Sequence, residues 1–295
     1  NLTIMDSDIR IYGFSSENNR IFPQIFLLNN IVGSAKQLTQ VTITNMTASF
    51  QGQSVLGTET TFFDISSEDL QLSISDSVYD LPLSSIFSVH STGDSTIIIN
   101  RVNSSGLILS FLTLENQLEY SNGSLDISVT QYSEFSSPTY SIKDLSENYA
   151  FSFSNINISK VNMQNIDSYL SLLKTSCNEG SIYISDVSII GTGLASSVLP
   201  SYLQIEGAQR LDLTLTRVIM KDYLNSALIA FSPGSNSAFS HLITLSNIIG
   251  NNISTSLFTT LNDSMPVGNL AQIDIAFNSI VLSGFSGSLI SSTRW

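Results

Sequence analysis

The sequence is poor in charged residues, and this limits the folds and partners it can have. Of the 295 residues, 12% are charged, whereas about 25% is usual for a globular domain. Surface helices need charged faces, so a helical protein is not expected. Nucleic-acid binding needs a surface of Lys and Arg, and 11 basic against 24 acidic residues argue against it.

Cysteine and long apolar runs are also scarce. Cys177 is the only cysteine, so no intrachain disulfide can form, and we interpret it as a spectator thiol. The longest apolar runs fall short of the roughly 18 residues of a membrane span, so none is predicted. The acidic, glycine-containing loop of calcium sites is missing, and no metal or cofactor is predicted. A start at Asn1 rather than Met indicates a processed chain or a piece of a longer one.

Ser, Thr and Asn are abundant, and they alternate with Ile, Leu, Val and Phe, a pattern typical of β-strands. One phrase recurs: apolar, any residue, apolar, two polar or small residues, apolar, as in Ile182-x-Ile184-xx-Val187. The copy Leu72-x-Ile74-xxx-Val78 contains one additional residue. The copies begin at Ile9, Val41, Leu72, Ile97, Ile127, Ile156, Ile182, Leu213, Ile243 and Ile275.

The copies follow one another at a step near 30 residues, which is typical of a solenoid with loops of variable length. Ankyrin and tetratricopeptide arrays have similar periods, but their repeats are helical. Here the apolar spacing is two and the apolar residues are often β-branched, which favours strands. The sequence therefore predicts an all-β fold, a single continuous parallel β-helix of about ten coils over residues 1–295.

A second phrase follows the first in most coils and predicts a second inward-facing strand. It consists of a small residue and an apolar pair. The two residues "xx" of the first phrase interrupt the alternation and predict a corner between two faces. Stretches such as Ser91–Asp94 and Asn178–Gly180 carry loop residues. The second phrases are Ser85-Ile86-Phe87, Ser171-Leu172-Leu173, Ala227-Leu228-Ile229, Ser256-Leu257-Phe258 and Ser288-Leu289-Ile290.

Identical positions of stacked coils should lie above one another, which gives two predictions about columns. The residue before the third apolar position is Lys160, Asp186 and Arg217 in three consecutive copies. These three form either an outward charge ladder of alternating sign or a set of unrelated surface residues. The predicted inward apolar column is Ile158, Ile184, Leu215, Leu245 and Phe277.

At this point the sequence resembles the right-handed parallel β-helix, or pectin-lyase-like, superfamily. It is also similar to the β-helical repeats of secreted adhesins and protist surface proteins, which pair an F-x-x-N phrase with a G-G-A-[ILV] phrase. Phe277-Asn278 followed by Gly287-Ser288-Leu289-Ile290 is similar to that pair, although the asparagine directly follows the phenylalanine and one glycine is missing. The resemblance implies a right-handed helix, an extracellular or cell-surface location, and a structural or binding role.

Pectate lyases and polygalacturonases belong to the same superfamily, so an enzyme is the alternative. Such enzymes resemble one another in an Asp-Asp pair, a G-H-G triplet and an R-x-K triplet. Here neither His90 nor His241 is flanked by glycine, and the one adjacent acidic pair is Glu68-Asp69. Both histidines and the acidic pair are predicted to lie in loops. Acid–base catalysis needs carboxylates that converge on one face, and no catalytic residue is predicted.

The expected function is therefore a non-catalytic structural or adhesive rod or filament segment. Its partner is another copy or a neighbouring module at the ends of the β-helix, and carbohydrate is a further candidate ligand. The alternative is a carbohydrate-active or carbohydrate-binding β-helix protein. N-x-[ST] acceptor patterns are about as numerous as the composition yields by chance, and they mark candidate glycosylation sites of a secreted glycoprotein. Besides Asn1, these are Asn45, Asn103, Asn122, Asn157, Asn252 and Asn262.

Overall fold

The computed structural model of the chain shows an all-β protein built from parallel strands. Within the described residues every regular element is a strand, and no helix occurs among them. The described residues are 1–12, 24–30, 38–51, 61–81, 85–105, 110–116, 123–135, 151–166, 173–193, 203–206, 210–222, 227–232, 239–253, 256–260, 271–285 and 290–292.

Ten long strands of the described chain form one parallel ladder. Each long strand pairs with the long strands that precede and follow it in the sequence. The first phrase lies on these strands, where alternate apolar residues turn to one side. The strands are β1 (Leu2–Tyr12), β3 (Leu38–Gln51), β5 (Asp69–Asp80), β7 (Ser95–Ser105), β9 (Ser124–Phe135), β10 (Phe151–Ile166), β11 (Leu173–Gly191), β13 (Arg210–Lys221), β15 (Phe239–Asn251) and β17 (Ala271–Ser283).

Shorter strands form the second wall, as the second phrase predicts. A four-stranded parallel sheet has the order β2-β4-β6-β8, and β12, β14, β16 and β18 form a further ladder that starts from the first residues of β11. Inside the four-stranded sheet, the rings of Phe63 and Phe87 stack with centroids 4.9 Å apart. The short strands are β2 (Gln24–Asn30), β4 (Thr61–Ser67), β6 (Ser85–Ser91), β8 (Ser110–Asn116), β12 (Leu203–Glu206), β14 (Ala227–Ser232), β16 (Ser256–Thr260) and β18 (Ile290–Ser292).

This arrangement is a parallel β-solenoid, and its number of turns corrects the sequence prediction. The structure supports about four turns rather than about ten coils. A complete turn needs a short strand as well as a long strand, and the separate sheet of short strands, β2-β4-β6-β8, contains four of them. The recurring phrase marks only the long strand, so counting phrases overestimates the number of turns.

The predicted inward column is present in the register of the long ladder. Ile158, Ile184, Leu215 and Leu245 lie opposite one another in consecutive strands and are at most 6% exposed. Phe277 continues the column opposite Leu245, but it is 44% exposed. Among the described strands β17 has one neighbour, β15, so one side of Phe277 has no stacked residue from a further strand. The column therefore confirms the register, while burial is incomplete at its end.

The copies of the first phrase in β1 and β5 differ from the prediction in their start or their spacing. In both, a serine takes the third position, where the other copies have an apolar residue. Leu2, not Ile9, lies opposite Val41, so the copy in β1 reads Leu2-x-Ile4-xx-Ser7. In β5 the third position is taken by Ser77, and no additional residue is present. Ser7 and Ser77 occupy an otherwise apolar column. Their hydroxyls donate to the carbonyls of Met5 (2.9 Å) and Ser75 (2.8 Å), which satisfies the polar group.

Of the predicted loop Ser91–Asp94, residues 92–94 form the short connection between β6 and β7, and Ser91 is the last residue of β6. This connection stacks on the equivalent connections beside it. The Asp94 amide donates to Oδ1 of Asp69 (2.9 Å), and the Ser124 amide donates to Oδ1 of Asp94 (2.8 Å). A Cβ atom on Gly123 would lie 2.2 Å from the carbonyl oxygen of Gly93, so this close approach requires glycine.

The predicted loop at 178–180 is wrong, because those residues lie inside β11.

Candidate functional site

The corner predicted by the "xx" residues is the most regular polar feature of the molecule. In each long strand one residue adopts a left-handed backbone conformation, with φ between 48° and 59°. The residues before and after it stay in register with those of the neighbouring strands, so these residues form one column. We name this set the corner column: Asp6, Asn45, Asp76, Arg101, Gln131, Lys160, Asp186, Arg217, Asn247 and Ser279.

Only part of the corner column has residues that suit this backbone. Asp and Asn tolerate the left-handed region because their short side chains can bond locally, whereas other non-glycine residues pay about 1 to 2 kcal/mol there. Arg101, Gln131, Lys160 and Arg217 nevertheless occupy it. Strain of this kind persists where surrounding structure determines the conformation, and here the pairing on both sides of the corner does so.

Charged members of the corner column pair with their neighbours. The Arg217 guanidinium donates from Nε to Oδ1 of Asp186 (2.5 Å) and from Nη2 to Oδ2 (2.8 Å). Arg101 forms the same two-bond arrangement with Asp76, at 2.5 and 2.7 Å. In both pairs the hydrogen bond from arginine, with its charge, lowers the pKa of the aspartate.

The three residues of the predicted charge ladder are all in the corner column. Lys160, Asp186 and Arg217 lie in consecutive strands with exposed side chains. Asp186 contacts Arg217 directly, and the positive charge of Lys160 contributes to lowering the pKa of Asp186. Asn45 extends the polar contacts toward the start of the ladder, because its amide donates to Oδ1 of Asp6 at 2.7 Å.

A second polar cluster lies on the second wall, formed by Asp64, Ser88 and His90. In the register of β4 and β6, Asp64 lies opposite Ser88, two residues before His90. Oδ1 of Asp64 is 3.4 Å from Nε2 of His90, and the Ser88 hydroxyl is 3.2 Å from the same nitrogen. Asp64 is only 8% exposed. More than twenty residues of sequence separate Asp64 from the other two, and strand register brings it beside them.

The cluster does not have the geometry of a nucleophilic triad. In such a triad the serine and the carboxylate bond to different imidazole nitrogens, so that a proton taken from the serine is stabilised from the other side. Here both contacts fall on Nε2 of His90. The arrangement can hold the imidazole in position, and it can place a carboxylate beside it.

Both histidines differ from the prediction that they lie in loops, because His90 lies in β6 and His241 in β15. His241 is 1% exposed and lies in an inward column between Leu211 and Ile273. Burial lowers the pKa of His241 to about 4, from an ordinary value of 6.5. His241 is therefore neutral at pH 7 and belongs to the core.

The acceptor asparagines occupy different kinds of position. Asn103 and Asn157 are exposed on long strands, and alternation turns Asn157 outward as predicted. Asn45 and Asn252 are exposed residues with left-handed backbone. Asn252 stacks on Asp222, to which its amide donates at 2.8 Å. Asn1 is exposed, and Asn122 and Asn262 lie outside the described residues.

Other candidate groups add no further site in the described residues. Glu68 precedes β5, and Asp69 is its first residue, where it bonds the stacked turn. Cys177 lies in β11. The described residues contain no group of three or more His, Cys, Asp or Glu side chains that could hold a metal ion. In the same part of the chain, no helix has the length and apolar character to cross a membrane.

Comparisons with known proteins do not place the chain in a family. No protein-family model, curated protein or solved structure matches it. The solenoid is thus established by strand pairing alone.

Sequence reasoning located the corner but missed two features of the structure. It did not foresee the left-handed backbone of the corner, although Asp or Asn recurring at one position was a usable signal. It also missed the pairing of Asp64 with His90, because the phrase search followed the long strands only.

Proposed function

We propose that this chain is a non-catalytic, extracellular structural or adhesive β-solenoid, a segment of a rod or filament whose ends are covered by another module. The observation that supports the proposal is the single parallel ladder of long strands, in which each long strand pairs with the long strands that precede and follow it in the sequence. Such a one-dimensional stack extends along its axis, and each repeat contacts only the adjacent ones. The proposal includes a right-handed coil and a relationship to the pectin-lyase-like superfamily.

The outer face of the ladder supports a binding or adhesive role. Ile219, Ile249 and Val281 lie opposite one another in three consecutive strands, and each is 47% to 58% exposed. The equivalent position in β7, two residues after the corner, is the exposed polar residue Asn103, so the apolar stripe does not include that strand. A contiguous exposed apolar stripe is a feature of interaction sites.

The alternative is a carbohydrate-active or carbohydrate-binding β-helix protein. The contact of Asp64 with His90 favours it, because a carboxylate beside an imidazole is a common acid–base arrangement. A catalytic site also needs room for a sugar beside these groups, and Asp64 is only 8% exposed. We therefore propose the structural role first.

An activity panel tests the proposal against the alternative. We expect no reducing-sugar release and no unsaturated products above background with anionic and neutral polysaccharides, at any pH between about 5 and 8. The matched variant is Asp64→Asn, which has the same size without the carboxylate charge. Turnover in the natural chain that this variant loses would establish the alternative. Electron micrographs of compact, unelongated particles would contradict the rod.

A further inference from the structure

We infer that this chain carries asparagine-linked oligosaccharides at Asn103 and Asn157, in preference to the other acceptor asparagines that the structure describes. The inference rests on the proposed function, because such oligosaccharides are added to secreted proteins. The donor is an oligosaccharide linked to a lipid diphosphate. Nδ2 of the asparagine forms a bond to C1 of the first sugar, the bond from C1 to the diphosphate oxygen breaks, and Nδ2 releases one proton.

Two acceptor asparagines already use the nitrogen that would receive the sugar. Asn45 and Asn252 lie at bends of the chain with left-handed backbone. Nδ2 of Asn45 donates to Oδ1 of Asp6 at 2.7 Å, and Nδ2 of Asn252 donates to Oδ1 of Asp222 at 2.8 Å. A sugar on either nitrogen would replace one of its two hydrogens and would share the bend with a carboxylate. The folded structure therefore disfavours these two positions.

Asn103 and Asn157 have a different environment, within extended stretches of β7 and β10. The residues directly before and after each of them are buried, so alternation turns both asparagine side chains outward, and both are exposed. In the part of the chain that the structure describes, their side-chain amides form no hydrogen bond. A sugar on either Nδ2 therefore displaces no contact of the protein.

An exposed apolar side chain lies beside each of these two asparagines. Val78 in β5 is opposite Asn103, and Tyr183 in β11 is opposite Asn157. Both apolar residues are 41% exposed. Adjacent strands are only about 4.8 Å apart, so the first sugar would lie over its apolar neighbour and remove part of that surface from water, which is favourable. The other two acceptors have an aspartate in this place.

The two sites lie on opposite sides of the corner, so each outer face would carry one oligosaccharide. Asn157 precedes Lys160 in β10, whereas Asn103 follows Arg101 in β7. Asn103 also shares an outward column with the apolar stripe, whose member Ile219 lies four strands further along the ladder. That distance is about 19 Å. Because an oligosaccharide is bulky and hydrophilic, contacts through this column would be confined to the stripe.

Glycopeptide mass spectrometry of the chain purified from its natural source tests the two sites. We expect the peptides that contain Asn103 and Asn157 to carry an oligosaccharide in most molecules. The peptides that contain Asn45 and Asn252 should be largely unmodified. A secreted chain in which Asn103 and Asn157 are bare, or less occupied than the other two, would overturn the inference.

Variants of the acceptor pattern provide the matched control. Ser159→Ala removes the pattern but leaves Asn157 in place, whereas Ser159→Thr keeps the pattern. We expect Ser159→Ala to lose the mass of one oligosaccharide and Ser159→Thr to lose none. At the other site Asn103→Gln should lose the same mass. Ser105→Ala is unsuitable there, because the Ser105 hydroxyl also donates to Oδ1 of Asp80 at 2.7 Å. An unchanged mass in Ser159→Ala would refute modification at Asn157.

The contact between the sugar and Tyr183 has a readout of its own. Ser159→Ala, which lacks the oligosaccharide, should melt at a lower temperature than the natural chain, because Tyr183 is then uncovered. The same comparison in a Tyr183→Ser background should show a smaller loss, and in an Ile219→Ser background the full loss, since Ile219 has no acceptor beside it. Double-variant comparisons of this kind isolate a pairwise contact. Equal losses in all backgrounds would contradict the contact that favours Asn157.

The two proposals fail separately. A secreted, rod-shaped and inactive chain with both sites bare refutes the oligosaccharides and leaves the proposed function in place. Polysaccharide turnover refutes the proposed function whether or not the sites are occupied. A chain that cell fractionation finds only inside the cell refutes both.

Discussion

At the residue scale, the burial of one histidine between apolar residues reduces the stability of the fold in acid. His241 lies between Leu211 and Ile273 and is 1% exposed. A charged imidazole there would lose its hydration, and burial therefore lowers its pKa to about 4. Since the unfolded chain takes up the proton at higher pH than the folded chain, acid favours unfolding.

The first prediction concerns the pH dependence of stability. The free energy of unfolding should fall from pH 6.5 to about 4, the interval between the ordinary and the lowered pKa of His241. The slope should be about 1.4 kcal/mol per pH unit. Above pH 6.5 the imidazole of His241 is neutral in both the folded and the unfolded chain, so it adds no further pH dependence. His241→Leu should remove the pH dependence that arises from this residue. Urea unfolding of the two proteins at each pH measures the difference. Parallel pH profiles would contradict the assignment.

At the element scale, the corner shows how neighbouring strands stabilise an unfavourable backbone. Arg101, Lys160 and Arg217 all have positive φ, which disfavours residues with long side chains. Two of the three pair with an aspartate on an adjacent strand. The pairs join strands that lie next to each other in the stack. They favour one alignment of the corner over others.

A charge exchange tests that role. Asp186→Arg places three positive residues in a row, between Lys160 and Arg217, and should lower the melting temperature because like charges in adjacent strands repel. The double variant Asp186→Arg with Arg217→Asp restores one opposite-charge contact and should recover most of the loss. The effect should shrink in high salt, where surface charges are screened. Equal melting of the single and double variants would exclude a contribution from the ladder.

At the scale of the whole molecule, the inward columns stabilise the stack, because each residue packs against its equivalents in the strands on either side. Leu215 is fully buried between Ile184 and Leu245. In the same strand, Ile219 is 47% exposed. The two residues share a strand and differ in the face that they occupy.

The third prediction uses this difference. Leu215→Ala should lower the free energy of unfolding by about 3 kcal/mol, through lost burial and a cavity in the column. Ile219→Thr, which keeps a β-branched side chain, should change it by less than about 0.5 kcal/mol. Equilibrium denaturation of both variants measures the contrast. Similar losses of unfolding free energy at the two positions would show that the core has been assigned to the wrong face of the strand.

The all-β class, the inward column and the position of the corner could be predicted from the sequence alone. These depend on a local pattern, since side chains alternate along a strand and β-branched residues favour it. The prediction of the inward column from Ile158 to Leu245 was correct because every strand in that range has an apolar residue at the column position. It failed at Ser7 and Ser77, where a hydroxyl satisfied by its own backbone replaces the apolar residue.

Which strands form complete turns, and which distant residues meet, could be read only from the folded chain. The contact of Asp64 with His90 and the burial of His241 depend on the register between strands. Register is selected by the stacking of whole columns, and no short segment contains that information. The left-handed backbone at Lys160 and Arg217 has the same origin, because pairing on both sides of the corner imposes a conformation that these residues would not adopt alone.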